Sequence, residues 1–450
     1  MLFSQIIHFC CFTKKKGSEE VKKHQKVILA SVVTASQAAT VLNIPISVMA
    51  QEPDLTRSNY NAENKAVQPK SGYTFIGAPK GMPEVSNNVV TVSYANGEKA
   101  KITFLENNLF RFDMEVDGKE ESFKEYADPT DALHTGRIVQ QPDSSDEYSK
   151  PTPTLSETEE AYIIQNDAII LEIAKADSRM TLKRSDGTIV WQEAKPIQYQ
   201  NGSTIQSFVK NDGENFYGGG TQNGRFVHTG ESIKIENLNN WVSGGVSSPN
   251  PFYWSTSGYG VLRNTFKKGV YDFGKTEGDV VSTSHSEKRL DAYYFVADTP
   301  VSLLQNYFKV TGNPALYPEE AFYLGHPNCY NRDEWVEGGN TPLETVNDST
   351  KYQEINNGGK VKKGGVLETL NGTNDTDYKF SARGVIDQYE KYDMPLGWFL
   401  PNDGYGCGYG KDDTNLDNNI ANLRSFTDYA NSKGVGTGLW TQSDLTPNPS

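Results

Sequence analysis

The stretch Phe110-Arg111-Phe112-Asp113-Met114-Glu115-Val116 sets the architecture of the first half of the chain. Its apolar and charged residues alternate strictly, which is the period of a β-strand with one face toward a core and one toward solvent. The same apolar period recurs over residues 90–94 and 169–173. These segments therefore predict half-buried strands of an antiparallel sheet.

Turn signals separate the predicted strands. Asparagine or aspartate followed by glycine favours tight hairpins, because both turn positions accept a left-handed backbone. Such dipeptides stand at Asn96-Gly97, Asp117-Gly118, Asp186-Gly187 and Asp212-Gly213. Short strands joined by such turns predict a β-sandwich over residues 71–313. The pattern alone leaves open a carbohydrate-binding or purely structural module.

The periodicity changes after Pro314. An apolar run at 321–326 predicts a buried strand, and a polar stretch rich in Gly and Asn at about 331–377 predicts an insertion. Two further apolar runs, 394–400 and 436–441, predict strands. Helical faces lie between them, on Ala382, Val385, Ile386 and Tyr389 and on Leu416, Ile420, Leu423, Thr427 and Ala430, with Gly434 as a C-terminal cap.

Alternating strands and helices indicate a parallel α/β architecture over residues 314–450. A complete (β/α)8 TIM barrel needs roughly 250 residues, and a chain of 450 residues leaves too few after Pro314. We therefore expect the first part of a barrel, truncated after about three strands. An open sheet is the alternative.

The N-terminal 50 residues have the pattern of a leader. Basic residues precede a largely apolar run at 27–46, and small residues end at Ala50, as in a signal peptide. Polar residues such as Asn43, together with Pro45, interrupt the run, which disfavours a membrane span. We expect cleavage after Ala50, a polar linker at 51–70, and a secreted or cell-surface protein.

Composition narrows the partners. The formal net charge is −14, and the body of the chain has no cluster of Lys and Arg, so a nucleic-acid partner is disfavoured. No Cys/His cluster with the spacing of a zinc site occurs, and we expect no metal and no cofactor. A neutral carbohydrate, whether a glycan or a glycoprotein, suits this surface better.

Polar and aromatic residues follow each predicted parallel strand, where barrel enzymes bind their ligands. The candidate substrate-binding residues at these three strand ends are His326 and Asn328, then Asn402, Asp403 and Tyr405, then Trp440. Asp403 and Asp444 stand on adjacent strand ends, so by spacing alone they are a minor alternative as a catalytic pair. The alternative for Asp403 is a solvated side chain in an Asn-Asp-Gly turn.

Four stretches in a fixed order resemble glycoside hydrolase family 31. Residues 215–224 resemble its Tyr-Gly-rich sandwich segment, and 239–241 with 250–254 resemble the loop that reaches the active-site pocket. Residues 313–318 resemble the crossing into the barrel, and 394–396 the entry to its second strand. The stretch 398–406, Trp-Phe-Leu-Pro-Asn-Asp-Gly-Tyr-Gly, looks like the branch of bacterial α-N-acetylgalactosaminidases.

This resemblance implies a retaining exo-α-glycosidase that acts on terminal α-linked sugars, with α-N-acetylgalactosamine of glycoproteins as the expected sugar. It implies a galactose-mutarotase-like sandwich, a substrate-binding Asp403, and Trp241 and His326 near the same pocket. The family's nucleophile and acid/base are Asp residues of later barrel strands, expected beyond Ser450. The fragment alone would then be inactive. The alternative is a non-catalytic carbohydrate-binding β-sandwich protein.

Overall fold

The computed structural model describes residues 67–123, 147–238, 240–327, 333–338, 344–346, 350–356, 365–367, 369–372, 374–400 and 416–438. The chain divides into two compact units, Met1–Asn313 and Pro314–Ser450. They are called the first and the second unit below.

Antiparallel strands dominate the first unit. Its described strands are β1 (Thr74–Phe75), β2 (Glu84–Ser86), β3 (Val89–Ser93), β4 (Lys99–Glu106), β5 (Leu109–Glu115), β6 (Thr154–Glu157), β7 (Ala161–Gln165), β8 (Ile169–Ala174), β9 (Met180–Arg184), β10 (Ile189–Gln200), β11 (Ser203–Val209), β12 (Phe216–Gln222), β13 (Ser232–Ile235), β14 (Val246–Ser255), β15 (Tyr259–Arg263), β16 (Gly269–Phe273), β17 (Val280–His285) and β18 (Leu290–Val296). A 3-10 turn, Glu120–Phe123, and helix α1 (Pro300–Thr311) also belong to it.

These strands form two sheets. One has the order β13-β16-β17-β11-β10-β9-β8-β7-β6, with β1 beside β10, and the other β12-β14-β15-β18-β5-β4-β3-β2. Side chains from both meet in one core, where Trp191 stacks on Phe208 at 4.7 Å and lies 5.5 Å from Tyr294 of the opposite sheet. Two sheets packed face to face confirm the predicted β-sandwich.

The β5 strand corrects one expectation. Alternation predicts a half-buried strand, but all seven residues from Leu109 to Glu115 are buried. Phe110, Phe112 and Met114 face the core between the sheets. The opposite face is covered as well, so it is not the solvent-exposed face that its charged residues suggested.

Two kinds of contact cover that outer face. At one end Leu109, Tyr293 and Phe295 pack in a cluster with Leu303 and Val310 of helix α1. Further along, charged side chains pair with one another: Arg111 with Asp291 and Asp113 with Arg289. The alternating pattern shows which residues of a strand are polar. It does not show whether a charged side chain has a partner that allows its burial, and for this reason the sequence predicted the wrong exposure for this face.

The second unit contains a small parallel sheet. Its described elements are β19 (Leu324–Pro327), β20 (Asp333–Glu337), β21 (Glu344–Val346), β22 (Thr350–Asn356), β23 (Gly365–Leu367), α2 (Asp375–Lys379), α3 (Ala382–Lys391), β24 (Leu396–Leu400), α4 (Leu416–Ser432) and β25 (Gly436–Thr437). Strands β19, β24 and β25 are parallel neighbours in that order. The expected strand-helix alternation is present, and a barrel stays a prediction.

Helices α3 and α4 pack on this sheet through the faces that the sequence indicated. Ala382 and Ile386 of α3 and Ala430 of α4 are buried in one cluster with Phe399 of β24. Gly434 follows α4 with φ of 73°, a left-handed conformation that glycine adopts without strain. Phe426, which the predicted face did not include, is also fully buried there.

Two details differ from the sequence-based expectation. The predicted strand at 321–326 is split: Glu319–Phe322 forms an exposed 3-10 turn, and the strand begins at Leu324. Pro318 precedes that turn, and Phe322 is 73% exposed, so the apolar run is not a buried strand. In the expected insertion at 331–377, strands in the order β21-β22-β20-β23 form a small antiparallel sheet.

In the described part of the chain, no helix combines the length and apolar character needed to cross a bilayer. The leader at 1–50 lies outside the described residues, as does most of the linker at 51–70. The signal peptide and secretion therefore stay predictions.

Candidate functional site

The parallel sheet of the second unit has two different faces. His326 of β19 is the register partner of Phe399 of β24, and both side chains lie on the face that the helices cover. Gly325 is the register partner of Trp398, and these two share the opposite face, because successive strand residues alternate sides. The face that carries Trp398 is called the Trp398 face below.

His326 packs between the sheet and the helices. Its ring stacks on Phe399 at 4.8 Å, and its Nδ1 shares a hydrogen bond of 3.0 Å with the Tyr389 hydroxyl of α3. Burial lowers the pKa of His326 below its usual value, which favours the neutral ring. This geometry gives His326 a packing and hydrogen-bonding role, while its predicted contact with substrate stays a prediction.

Trp398 lies across its neighbouring strand. A Cβ added at Gly325 would lie 1.9 Å from Cζ2 and 2.1 Å from Cε2 of the indole, so the ring occupies the volume that any side chain at position 325 would need. On the other flank, Gly436 is also in register with Trp398. Sequence reasoning did not single out Trp398 as a site residue, because its face becomes visible only through the register with Gly325.

In the first unit, Trp241 lies on a loop between β13 and β14 and is 68% exposed. Hydrogen bonds hold this loop: Asn223 Nδ2 donates to the Asn240 carbonyl at 2.7 Å, and the Val242 amide donates to Asn240 Oδ1 at 3.2 Å. The Asn240 amide donates to the Val246 carbonyl at 2.9 Å. The indole of Trp241 is therefore presented from an anchored loop.

A cavity of about 350 Å³ adjoins this loop. Its lining includes Asn223, Arg225, His228, Glu231 and Ser243. Arg225 forms an ion pair with Glu231, and burial lowers the pKa of His228, whose Nε2 lies 3.0 Å from the Gly218 carbonyl. Glu231 also lies 3.6 Å from Lys275 Nζ, so the lining combines hydrogen-bonding groups with paired charges.

The other predicted site residues cannot be placed. Outside the described residues lie Asn328, Asn402, Asp403, Tyr405, Trp440 and Asp444. The structure thus neither brings Asp403 together with His326 nor separates them. Within the described ranges, no group of three or more His, Cys, Asp or Glu side chains is placed to hold a metal ion.

Comparisons with known proteins point in one direction. Residues 99–272 match the glycosyl hydrolase 31 N-terminal galactose mutarotase-like domain. An α-xylosidase of Emericella nidulans is 30% identical over 126 residues, which are 28% of this chain and 16% of that protein. A 1,6-α-glucosyltransferase of Sporosarcina globispora is 26% identical over 189 residues, 39% of this chain and 14% of the relative.

A solved structure extends the likeness to the fold. The family 31 dextranase of Flavobacterium johnsoniae, solved with glucose, superposes with a TM-score of 0.60 at 16% identity, covering 81% of this chain and 38% of the dextranase. The dextranase likeness concerns the fold, while the resemblance of residues 99–272 to the family 31 domain supports a glycoside hydrolase classification. Residues 99–272 are thus similar to the N-terminal domain of glycoside hydrolase family 31, and the chain spans well under half the length of these relatives.

Proposed function

We propose that the whole protein is a retaining exo-α-glycosidase that removes terminal α-linked sugars. The observation that carries this function is the match of residues 99–272 to the family 31 N-terminal domain, in a chain that continues into a parallel α/β unit. A retaining enzyme needs two carboxyl groups about 5 to 5.5 Å apart, one as nucleophile and one as acid/base. We propose that both belong to barrel strands beyond Ser450 and that Asp403 binds sugar hydroxyls.

The sugar is a separate part of this proposal. The branch of α-N-acetylgalactosaminidases is suggested by residues 398–406 alone, and the relatives do not support it: they are named as α-xylosidases, a glucosyltransferase and a dextranase. An α-xyloside, an α-glucoside and an α-N-acetylgalactosaminide are therefore competing substrates. Transfer to a sugar acceptor instead of water is compatible with the same covalent intermediate.

The decisive experiment measures nitrophenol release from the α-xyloside, α-glucoside, α-galactoside and α-N-acetylgalactosaminide. It uses the 450-residue chain beside a protein extended through the downstream genomic sequence. We expect turnover only in the extended protein, with the α-anomer of the sugar as first product by NMR. Turnover in the 450-residue chain would make Asp403 and Asp444 the catalytic pair. Sugar binding without turnover in either protein would favour the carbohydrate-binding alternative.

A further inference from the structure

In the parallel sheet, one set of three residues in register combines a tryptophan with two glycines. On the Trp398 face, Gly325 of β19, Trp398 of β24 and Gly436 of β25 stand in register. The largest side chain of the sheet thus has no side chain on either flank. Two residues further along, a glycine again lies beside a large side chain, because a Cβ at Gly438 would lie 3.0 Å from Cδ1 of Leu400.

The two glycines are not equivalent. A Cβ at Gly325 would collide with the six-membered ring of Trp398, with the nearest atom at 1.9 Å. A Cβ at Gly436 would make only ordinary contacts, 3.6 Å from the Gly397 carbonyl and 4.0 Å from the Trp398 Cβ. The indole therefore leans toward β19, and among the described residues only Gly397 and Trp398 come within 4 Å of a Cβ at Gly436. Trp398 remains half-buried, whereas Phe399 on the helix side is fully buried.

Two roles could explain this arrangement. Packing of an aromatic ring over a strand glycine stabilises sheets by itself, and that role requires only ring volume at position 398. A ligand role requires in addition an accessible ring on the face where a ligand binds. In parallel α/β proteins ligands bind outside the carboxyl ends of the strands, and β24 ends at Leu400, close to Trp398.

We propose that the indole of Trp398 is a stacking surface for a sugar ring of the substrate and so determines substrate specificity; this inference rests on the proposed α-glycosidase function. The apolar C–H groups of a pyranose match the electron-rich face of an indole. The absence of a side chain at Gly325 leaves the space that the tilted ring occupies.

The test uses the protein extended through the downstream genomic sequence. It compares four variants: Trp398→Ala, Trp398→Phe, Gly325→Ala and Gly436→Ala. KM and kcat are measured on the fastest nitrophenyl α-glycoside, and Kd for the matching free monosaccharide is measured by titration calorimetry. We expect W398A and G325A to raise KM and Kd about tenfold with little change in kcat, and W398F to raise them about threefold. G436A adds the same methyl group on the other flank and should leave both constants unchanged.

The outcomes separate this inference from the proposed function. Persistent hydrolysis with unchanged KM and Kd in folded W398A and G325A would overturn the role of Trp398 and leave the glycosidase function standing. Monosaccharide binding that W398A abolishes, without turnover of any substrate, would support the stacking surface and overturn the hydrolase. If W398A and G325A do not fold, the KM and Kd of W398F test the stacking role, because phenylalanine keeps an aromatic ring of smaller area. No binding and no turnover would overturn both.

Discussion

Arg111 and Asp291 form a bidentate ion pair inside the first unit, with Nε 2.8 Å from Oδ1 and Nη2 2.9 Å from Oδ2. Both residues are 3% exposed. The pair joins β5 to β18 across 180 residues of sequence. Because both charges are removed from water, burial of each side chain is tolerated only while the opposite charge is present.

Replacing Asp291 alone by Leu should therefore destabilise the protein strongly, by about 3 to 5 kcal/mol, since Arg111 would stay buried without its main partner. The double variant Arg111→Met, Asp291→Leu should recover most of that loss. Urea unfolding of the single and double variants measures the coupling. Additive losses in the double variant would contradict a paired role.

Gly220, in the Tyr-Gly-rich segment, offers a second prediction. Its φ is 74°, and an added Cβ would lie 2.2 Å from the Ser248 carbonyl oxygen. Gly230 has a similar φ of 76° but nothing within 4 Å of the added atom. Gly230→Ala should therefore cost about 1 to 2 kcal/mol from backbone strain alone. Gly220→Ala should cost about 1 to 3 kcal/mol more, because the backbone of β14 must move.

Thermal unfolding of the two alanine variants side by side checks this difference. Equal losses of stability would mean that Gly220 is required only for its left-handed backbone conformation. A larger loss at Gly220 would show that close approach of β12 to β14 is its function, as its crowded surroundings indicate.

Glu193 gives the stability of the protein a pH dependence. It is fully buried, accepting hydrogen bonds from Gln206 Nε2 at 2.9 Å and the Met180 amide at 2.9 Å. Burial raises the pKa of Glu193 from 4.5 to about 8. Between these values the folded state keeps a proton that the unfolded chain has released. The stability from this group is therefore fully present below pH 4.5 and is lost as the pH rises through about 8.

The free energy of unfolding should accordingly fall by up to about 1.4 kcal/mol per pH unit across that window. Glu193→Gln cannot ionise, so it should flatten this slope even if its amide lowers stability at every pH. The control is Glu157→Gln, an exposed residue paired with Lys175. Denaturant titrations at pH 5, 6.5 and 8 measure the slopes, and an unchanged slope in E193Q would refute the assignment.

The sequence predicted elements whose signal is local. Period-two alternation identified β3, β5 and β8, and the apolar face of α3 placed Ala382 and Ile386 in the core. Gly434 was recognisable as a cap because its requirement, a left-handed backbone, is a property of one residue.

Features that depend on pairing between distant strands were not predictable in this way. The burial of Arg111 follows from Asp291, which no window around β5 contains. The position of Trp398 follows from its register with Gly325, across helix α3 in sequence. The local sequence pattern indicates on which face of its own strand a residue lies. Which residue lies beside it on the next strand depends on how the strands pair in the folded protein.

His326 provides the last prediction, because its two possible roles give opposite kinetics. Its ring stacks on Phe399 and shares a hydrogen bond with Tyr389 on the helix side of the sheet. That position predicts that His326→Phe, which keeps a stacking ring, and Tyr389→Phe, which removes only a hydroxyl, each lower stability by about 1 kcal/mol through the lost hydrogen bond. Neither should change KM. A rise in KM in H326F but not in Y389F would instead support direct contact between His326 and the sugar, as the family resemblance implies.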